Sequence, residues 1–78
     1  MENVVWFEAN ENNDGIETLA MLEGRIVGYN GILKDEKVIY KDNQYTVVMV
    51  SRLGDFGLSE TGELPYTLRV SPRYVIKQ

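Results

Sequence analysis

The sequence lacks cysteine and histidine altogether and has only two prolines in 78 residues. Without these side chains the protein cannot build a Ser-His-Asp or Cys-His catalytic group, a thiol redox centre, or the usual zinc and haem sites. No disulfide can stabilise so small a core, which must be held by packing alone. We therefore expect no metal and no cofactor.

Long apolar runs are missing as well. No stretch approaches the roughly 18–20 apolar residues that a membrane-spanning helix needs. The first eight residues have no positively charged region and reach Glu8 after only four apolar residues, so they do not resemble a signal peptide. These absences predict a cytoplasmic protein that does not engage a membrane.

The charge is acidic and unevenly distributed. Twelve Asp and Glu stand against eight Lys and Arg, which gives a net charge of −4. Residues 1–24 hold six acids and no base, whereas residues 25–78 hold eight bases and six acids. A negative chain lacks the broad basic face of a charge-driven nucleic-acid binder, so nucleic acid is a disfavoured partner.

Carboxylates are the remaining groups for acid-base chemistry. Asp35 with Glu36, and Glu60 with Glu63, fall in polar segments, whereas a glycosidase holds two carboxyls in a cleft with one desolvated. The segment 10–15 is similar to the start of a calcium loop, but Met21 stands where the bidentate Glu belongs. We expect a solvated loop there and a protein that is not an enzyme.

Strand-forming residues occur in short runs between Gly, Asn and Asp turns. Residues 16–23 suit either a helix or a strand; Asp14 could cap a helix and Gly24 could end it, so we expect a short helix. After Gly24 the apolar period is two. The expected elements are strands near 4–7, 25–29, 38–40, 45–50, 66–70 and 74–76, a hairpin turn at 41–44 with positive φ at Asp42 and Asn43, a long loop over 51–63, and a 3₁₀ turn at 71–73.

Five or six short strands are too few for a sandwich, but they can close a small barrel that hides its edges. The expected fold is therefore mainly β, a single barrel domain over residues 1–78 with one short helix at about 16–23 in the first long loop.

Two segments resemble known small barrels. The run 23–27, Glu-Gly-Arg-Ile-Val, is similar to the Gly-x-Ile/Val step of KOW-type barrels, and the run 71–77, Ser-Pro-Arg-Tyr-Val-Ile-Lys, is similar to the end of Src-homology-3 (SH3) domains. The layout resembles small SH3-like proteins of Gram-positive bacteria and their phages. The peptide-groove residues of signalling SH3 domains, an Ala-Leu-Tyr-Asp-Tyr strand and a Trp pair, are not in this sequence. The resemblance implies a fold and leaves the function open.

Tyr and Arg, the residue types enriched at interface hot spots, recur in the second half of the chain. The alternative is that these arginines only solubilise that face and pair with Glu60 or Glu63. We take as candidate binding residues those near the expected loop and the final turn, namely Arg52, Phe56, Tyr66, Arg69, Arg73 and Tyr74.

Three functions remain open on this sequence. The first is a non-enzymatic module that binds a protein through its loop rim, such as a phage or mobile-element accessory or inhibitor protein, with the acidic segment 8–23 setting specificity. The second is a single-stranded nucleic-acid binder that stacks bases on Phe56, Tyr66 or Tyr74. The third is a structural homodimer that pairs an edge strand such as 25–33.

Overall fold

The structure is a computed structural model that describes residues 3–9 and 15–78. The described residues form short β-strands and a single 3₁₀ turn, so the prediction of a mainly β protein is confirmed. The strands are β1 Val5–Glu8, β2 Thr18–Leu22, β3 Arg25–Tyr29, β4 Ile32–Leu33, β5 Lys37–Tyr40, β6 Asn43–Val50, β7 Phe56–Ser59, β8 Leu68–Val70 and β9 Ile76–Lys77.

The strands pair in two antiparallel sheets, and the prediction of one closed barrel is wrong for the residues that the structure describes. The first sheet has the order β1-β2-β3-β4 and the second β8-β7-β6-β5-β9. The sheets meet just after β4, where the Asp35 amide donates to the Val47 carbonyl at 2.7 Å and the Val47 amide to the Glu36 carbonyl at 2.9 Å. Because β4 is only two residues long, no continuous ladder forms there.

The helix expected at 16–23 is also wrong, because this segment contains β2. Strand β2 lies between β1 and β3, so it is paired along both edges. Glu23 and Gly24 have φ values of 52° and 80° and form a two-residue hairpin turn. A glycine at this place suits either a helix end or a hairpin, and the two neighbouring strands decide for the hairpin.

The other tight turns follow the same geometry. Asn30 and Gly31, an Asn-Gly pair that suits a turn or a bulge, have φ values of 52° and 85° and form the turn between β3 and β4. The hairpin between β5 and β6 is also confirmed, but its turn is Lys41-Asp42, with φ values of 49° and 69°. Positive φ was expected at Asp42 and Asn43; Asn43 instead begins β6, because a two-residue turn of this hand matches the twist of the flanking strands.

The long loop expected over 51–63 is interrupted by β7, which pairs with β6 and β8. Gly57 lies inside this strand because a Cβ there would come within 2.9 Å of both the Met49 Cβ and the Tyr66 ring. The 3₁₀ turn is confirmed at Pro72–Tyr74. It is the one helical element of the described residues, which contain no helix long and apolar enough to cross a membrane.

One hydrophobic core lies between the two sheets. The strands contribute their inward-facing positions, and Phe56 and Leu58 of β7 are completely buried. The core residues are Ile16, Tyr29, Ile32, Val38, Val47, Phe56, Leu58 and Val75.

The Asn30 side chain fixes the start of β2. Its Oδ1 accepts hydrogen bonds from the amides of Glu17 at 2.7 Å and Thr18 at 3.2 Å, and its Nδ2 donates to the Gly15 carbonyl at 3.0 Å. One turn residue therefore satisfies three backbone groups at and just before the start of β2, which holds the first sheet in register.

Candidate functional site

The chain between β6 and β7 forms a well-bonded turn. The Ser51 amide donates to the Asp55 carbonyl at 2.8 Å, and the Gly54 amide donates to the Ser51 carbonyl at 3.2 Å. The Ser51 Oγ accepts from the Leu53 amide at 2.9 Å. These bonds hold Leu53 at the tip of the turn, where its side chain is 77% exposed beside the exposed Arg52.

Tyr29 supports this turn from the core. Its ring packs against Phe56 with centroids 5.8 Å apart, and its hydroxyl donates to the Ser51 carbonyl. Burial raises the pKa of Tyr29 above 10.0, and the charge of Asp55 adds to this rise, while a hydrogen bond with the Gly54 backbone opposes it. The turn is thus tied to the core by a hydroxyl that favours its neutral form.

The 3₁₀ turn provides the facing group. Its Tyr74 side chain is 60% exposed, and the Arg73 guanidinium lies 5.7 Å from the centre of the Tyr74 ring. Arg73 also packs on Gly15, where a Cβ would lie 2.9 Å from the Arg73 Cβ. An exposed cation–π contact contributes about 0.5–1 kcal/mol, so the pair presents a cation and an aromatic ring together.

A cleft of about 300 Å³ separates the two turns. Its wall combines apolar, acidic and basic side chains with a serine. The lining residues are Leu53, Gly54, Asp55, Ser71, Arg73 and Tyr74. We use the term rim surface for this cleft together with Arg52, Arg69 and Tyr66 around it.

Arg69 lies on the outer face of the second sheet and connects to the cleft through Asp55. Its Nη2 is 3.0 Å from the Asp55 Oδ2, and its Nε donates to the same oxygen at 3.1 Å. Arg69 is the register partner of Gly57, over which the Tyr66 ring packs, so both side chains share this face. A half-exposed ion pair contributes about 0–1 kcal/mol, so its main effect is to orient Arg69.

Of the predicted site residues, Arg73 and Tyr74 are exposed and line this cleft. Arg69 is exposed and pairs with Asp55 of the wall, the exposed Arg52 precedes Leu53 in the turn, and Tyr66 lies farther along the outer face. Phe56 is an exception: it is fully buried, so its assignment as a surface anchor is wrong. It cannot stack a nucleic-acid base either. Sequence reasoning missed Leu53, although an apolar residue between Arg52 and Gly54 in a polar turn is a usable signal.

Among residues 3–9 and 15–78 no group of three or more Asp or Glu side chains is placed to hold a metal ion. The calcium-loop-like positions 10–14 lie outside the described residues, together with that part of the acidic segment 8–23.

A second, larger groove of about 530 Å³ lies elsewhere, along β3 and β6. Its apolar wall includes Leu64, whose side chain is 66% exposed. Because this groove shares no lining residue with the rim surface, a substitution at Leu64 can serve as the matched control for substitutions on the rim surface. It is lined by Val4, Leu22, Arg25, Ile26, Val27, Leu33, Lys34, Asp35, Val48, Met49, Val50 and Leu64.

Comparison with known proteins assigns no family: no family model, no curated protein and no solved structure matches this chain. The resemblance to SH3-like and KOW-type barrels stays a prediction from the sequence, and the function has to be argued from the surface itself.

Proposed function

We propose that this protein is a non-enzymatic interaction module that binds another protein through the rim surface. The observation that carries the proposal is the pair of large, highly exposed side chains, Leu53 and Tyr74, on either side of one cleft. Clustered exposed apolar groups mark interaction sites, and tyrosine and arginine are enriched at binding hot spots.

The chemistry of the rim surface indicates the kind of segment it binds. An apolar side chain of the partner would fill the space between Leu53 and Tyr74. A carboxylate beside it would pair with Arg52, the exposed residue that precedes Leu53 in the turn. The Arg69 cation is oriented by Asp55 and favours a polar contact at the periphery. The partner is therefore a protein segment in which an apolar residue is followed closely by an acid.

Rigidity favours this function. The turn that carries Leu53 is held by Ser51 backbone bonds and by the Tyr29 hydroxyl, so little freedom is lost on binding. The cleft, at about 300 Å³, is at the low end of the range of roughly 300–1,000 Å³ that encloses small molecules. A shallow, prebuilt surface suits protein recognition better than chemistry.

We further propose that the two sheets are an SH3-like arrangement and that the protein acts in the cytoplasm as a phage or mobile-element accessory or inhibitor factor. Support for the fold comes from the order of hairpins, 3₁₀ turn and short final strand. Support for the role is the sequence resemblance to small SH3-like proteins alone.

The test is affinity capture with quantitative mass spectrometry from the lysate of cells that naturally produce the protein. The Leu53→Ser/Tyr74→Ser double variant should lose at least 90% of the captured partner, whereas Leu64→Ser should retain it. Urea denaturation of each variant checks that the fold persists. Equal capture by the double variant and the wild type would refute the rim surface as the binding site.

The nucleic-acid alternative is tested by binding of a single-stranded oligonucleotide. Tyr66 and Tyr74 remain exposed, at 38% and 60%, and either ring could stack on a base. A labelled single-stranded oligonucleotide that binds tightly at low salt, and loses affinity steeply as salt rises, would favour this function over protein binding. We expect no shift of the oligonucleotide at 50 mM salt.

A further inference from the structure

Strand β1 forms an edge of the first sheet with large apolar side chains on it. Among the described strands it pairs with β2 alone. Val5, Trp6 and Phe7 are 50%, 39% and 51% exposed, although each is a residue that proteins usually bury. This apolar edge shares no residue with the rim surface.

The strand carries few of the features that prevent edges from pairing. Natural edges are commonly protected by lysine, proline, bulges or inward-pointing charges. β1 contains neither lysine nor proline, and its register against β2 is unbroken from Val5 to Glu8. Its one charge, Glu8, lies at the end of the strand.

The backbone direction shows which residues of β1 face outward. The Ala9 amide donates to the Glu17 carbonyl of the neighbouring chain segment at 2.9 Å, so the backbone of residue 9 faces β2. Backbone groups alternate in direction along an antiparallel strand. The amides and carbonyls of Val5 and Phe7 therefore face β2, and those of Trp6 and Glu8 face the open edge, together with Val4 just before the strand.

We infer that β1 pairs with β1 of a second copy of this chain, antiparallel about a two-fold axis at Trp6. In this register Trp6 lies opposite Trp6 of the second copy, and Val4 lies opposite Glu8. The outward-facing amides and carbonyls of Val4, Trp6 and Glu8 then form hydrogen bonds with those of the second copy. The two four-stranded sheets become one continuous sheet of eight strands.

The side chains fit the same register. Val5 lies opposite Phe7 of the second copy, and the two-fold axis repeats this apolar pair. Glu8 faces Val4, so like charges are kept apart. A shift of two residues along each strand would instead place Glu8 opposite Glu8, which opposes that register.

The exposed area sets the strength of this association. A buried aromatic side chain covers about 150–250 Å², so the exposed parts of Val5, Trp6 and Phe7 offer roughly 250 Å² per copy. Stable interfaces bury about 1,200–2,000 Å² in total. We therefore expect a weak dimer with a dissociation constant on the order of 10⁻⁴ M, whose formation is concentration-dependent.

Disulfide trapping tests both the pairing and its register, because the natural chain has no cysteine. Opposite residues at a non-hydrogen-bonded position have Cα atoms about 4.5 Å apart, within the disulfide range of about 4.4–6.8 Å. Two copies of residue 5 would be about 8 Å apart, beyond that range. The Val5→Cys and Phe7→Cys variants should therefore cross-link with each other in an equimolar mixture and far less with themselves.

The expected result at about 0.5 mM protein in a glutathione redox buffer is at least a fivefold excess of the mixed disulfide over either homodimer. The two variants are distinguished by an isotope label. Leu53→Cys, on the rim surface and more exposed at 77% than Val5 and Phe7, sets an upper level for random cross-linking. Mixed and self cross-linking at the level of Leu53→Cys would overturn the pairing. Dominant self cross-linking of Val5→Cys would overturn the register.

Sedimentation equilibrium of the unmodified chain provides a second measurement that does not depend on the variants. The mean mass should rise from that of one chain at 10 μM toward that of two chains at 1 mM, and Trp6→Lys, which puts like charges on the axis, should remain a single chain at 1 mM. A wild-type mass that stays at one chain at 1 mM would contradict the proposal. A mass of two chains for Trp6→Lys at 1 mM would contradict it as well.

Discussion

Removal of the Tyr29 hydroxyl tests how the core supports the rim surface. Tyr29→Phe keeps the ring that packs on Phe56 and deletes the hydroxyl that donates to the Ser51 carbonyl. That carbonyl keeps a second hydrogen bond, from the Gly54 amide at 3.2 Å, so it is not left unsatisfied. We expect a loss of about 1 kcal/mol in the free energy of unfolding at pH 7, the net value of one hydrogen bond.

The pH dependence of this loss gives a sharper test. Because burial raises the pKa of Tyr29 above its ordinary value of 10.0, the folded protein retains the Tyr29 proton at pH values where the unfolded chain has partly released it. The stabilisation from Tyr29 is thus complete below pH 10 and is lost as the pH rises through the folded pKa. Above pH 10 the difference between wild type and Tyr29→Phe should shrink by up to about 1.4 kcal/mol per pH unit.

Urea denaturation followed by far-ultraviolet circular dichroism, at half-unit steps from pH 7 to pH 11, measures both proteins. The other four tyrosines are common to both proteins, so their titration cancels in the difference. In a thermal melt at pH 7 the melting temperature of Tyr29→Phe should be about 4–8 °C lower than that of the wild type, the shift that 1 kcal/mol causes in a domain of this size. A difference that stays constant or grows between pH 9 and pH 11 would refute the reasoning.

Three further variants test the turns and the close packing, each by urea denaturation at pH 7. Asn30→Gly keeps the positive φ but removes three side-chain hydrogen bonds, so we expect a loss of about 2 kcal/mol; a loss below 0.5 kcal/mol would contradict the role assigned to Asn30. Gly28→Ala puts a Cβ against the Ile32 carbonyl oxygen, so it should lower the free energy of unfolding by about 2–3 kcal/mol or prevent folding. An unchanged free energy of unfolding would contradict the close approach of β3 and β4 at Gly28. Lys41→Asn with Asp42→Gly relieves two positive φ values and should stabilise by about 0.5–1 kcal/mol, whereas a loss would mean that their side chains contribute more than the turn strain.

The sequence was sufficient to predict an element of the fold where the local signals agreed with one another. The strand Arg25–Tyr29, the Asn30-Gly31 turn and the β5–β6 hairpin follow from alternating apolar residues and turn residues. Residues 16–23 were not decidable in this way, because Gly24 suits a helix end and a hairpin equally. Pairing with β1 and β3, which are both non-local, decides for a strand.

The candidate site was predictable in part for similar reasons. Arg69, Arg73 and Tyr74 could be grouped because the 3₁₀ turn and the last strands bring them together. Phe56 was assigned to a surface loop because Gly57 is a typical loop residue, so β7 was not predicted. The glycine is needed because the Tyr66 ring, nine residues later in the chain, packs over it. Alternation of Phe56 with Leu58 was the one local sign that both face the core.

Photo-cross-linking in living cells tests the central claim, that the rim surface binds another protein, most directly. A photoreactive phenylalanine analogue replaces Tyr74 in one variant and Leu64 in another, positions with similar exposures of 60% and 66%. On irradiation we expect one discrete adduct of higher mass from position 74 and none from position 64. The same adduct from both positions, or an adduct from position 64 alone, would contradict the account.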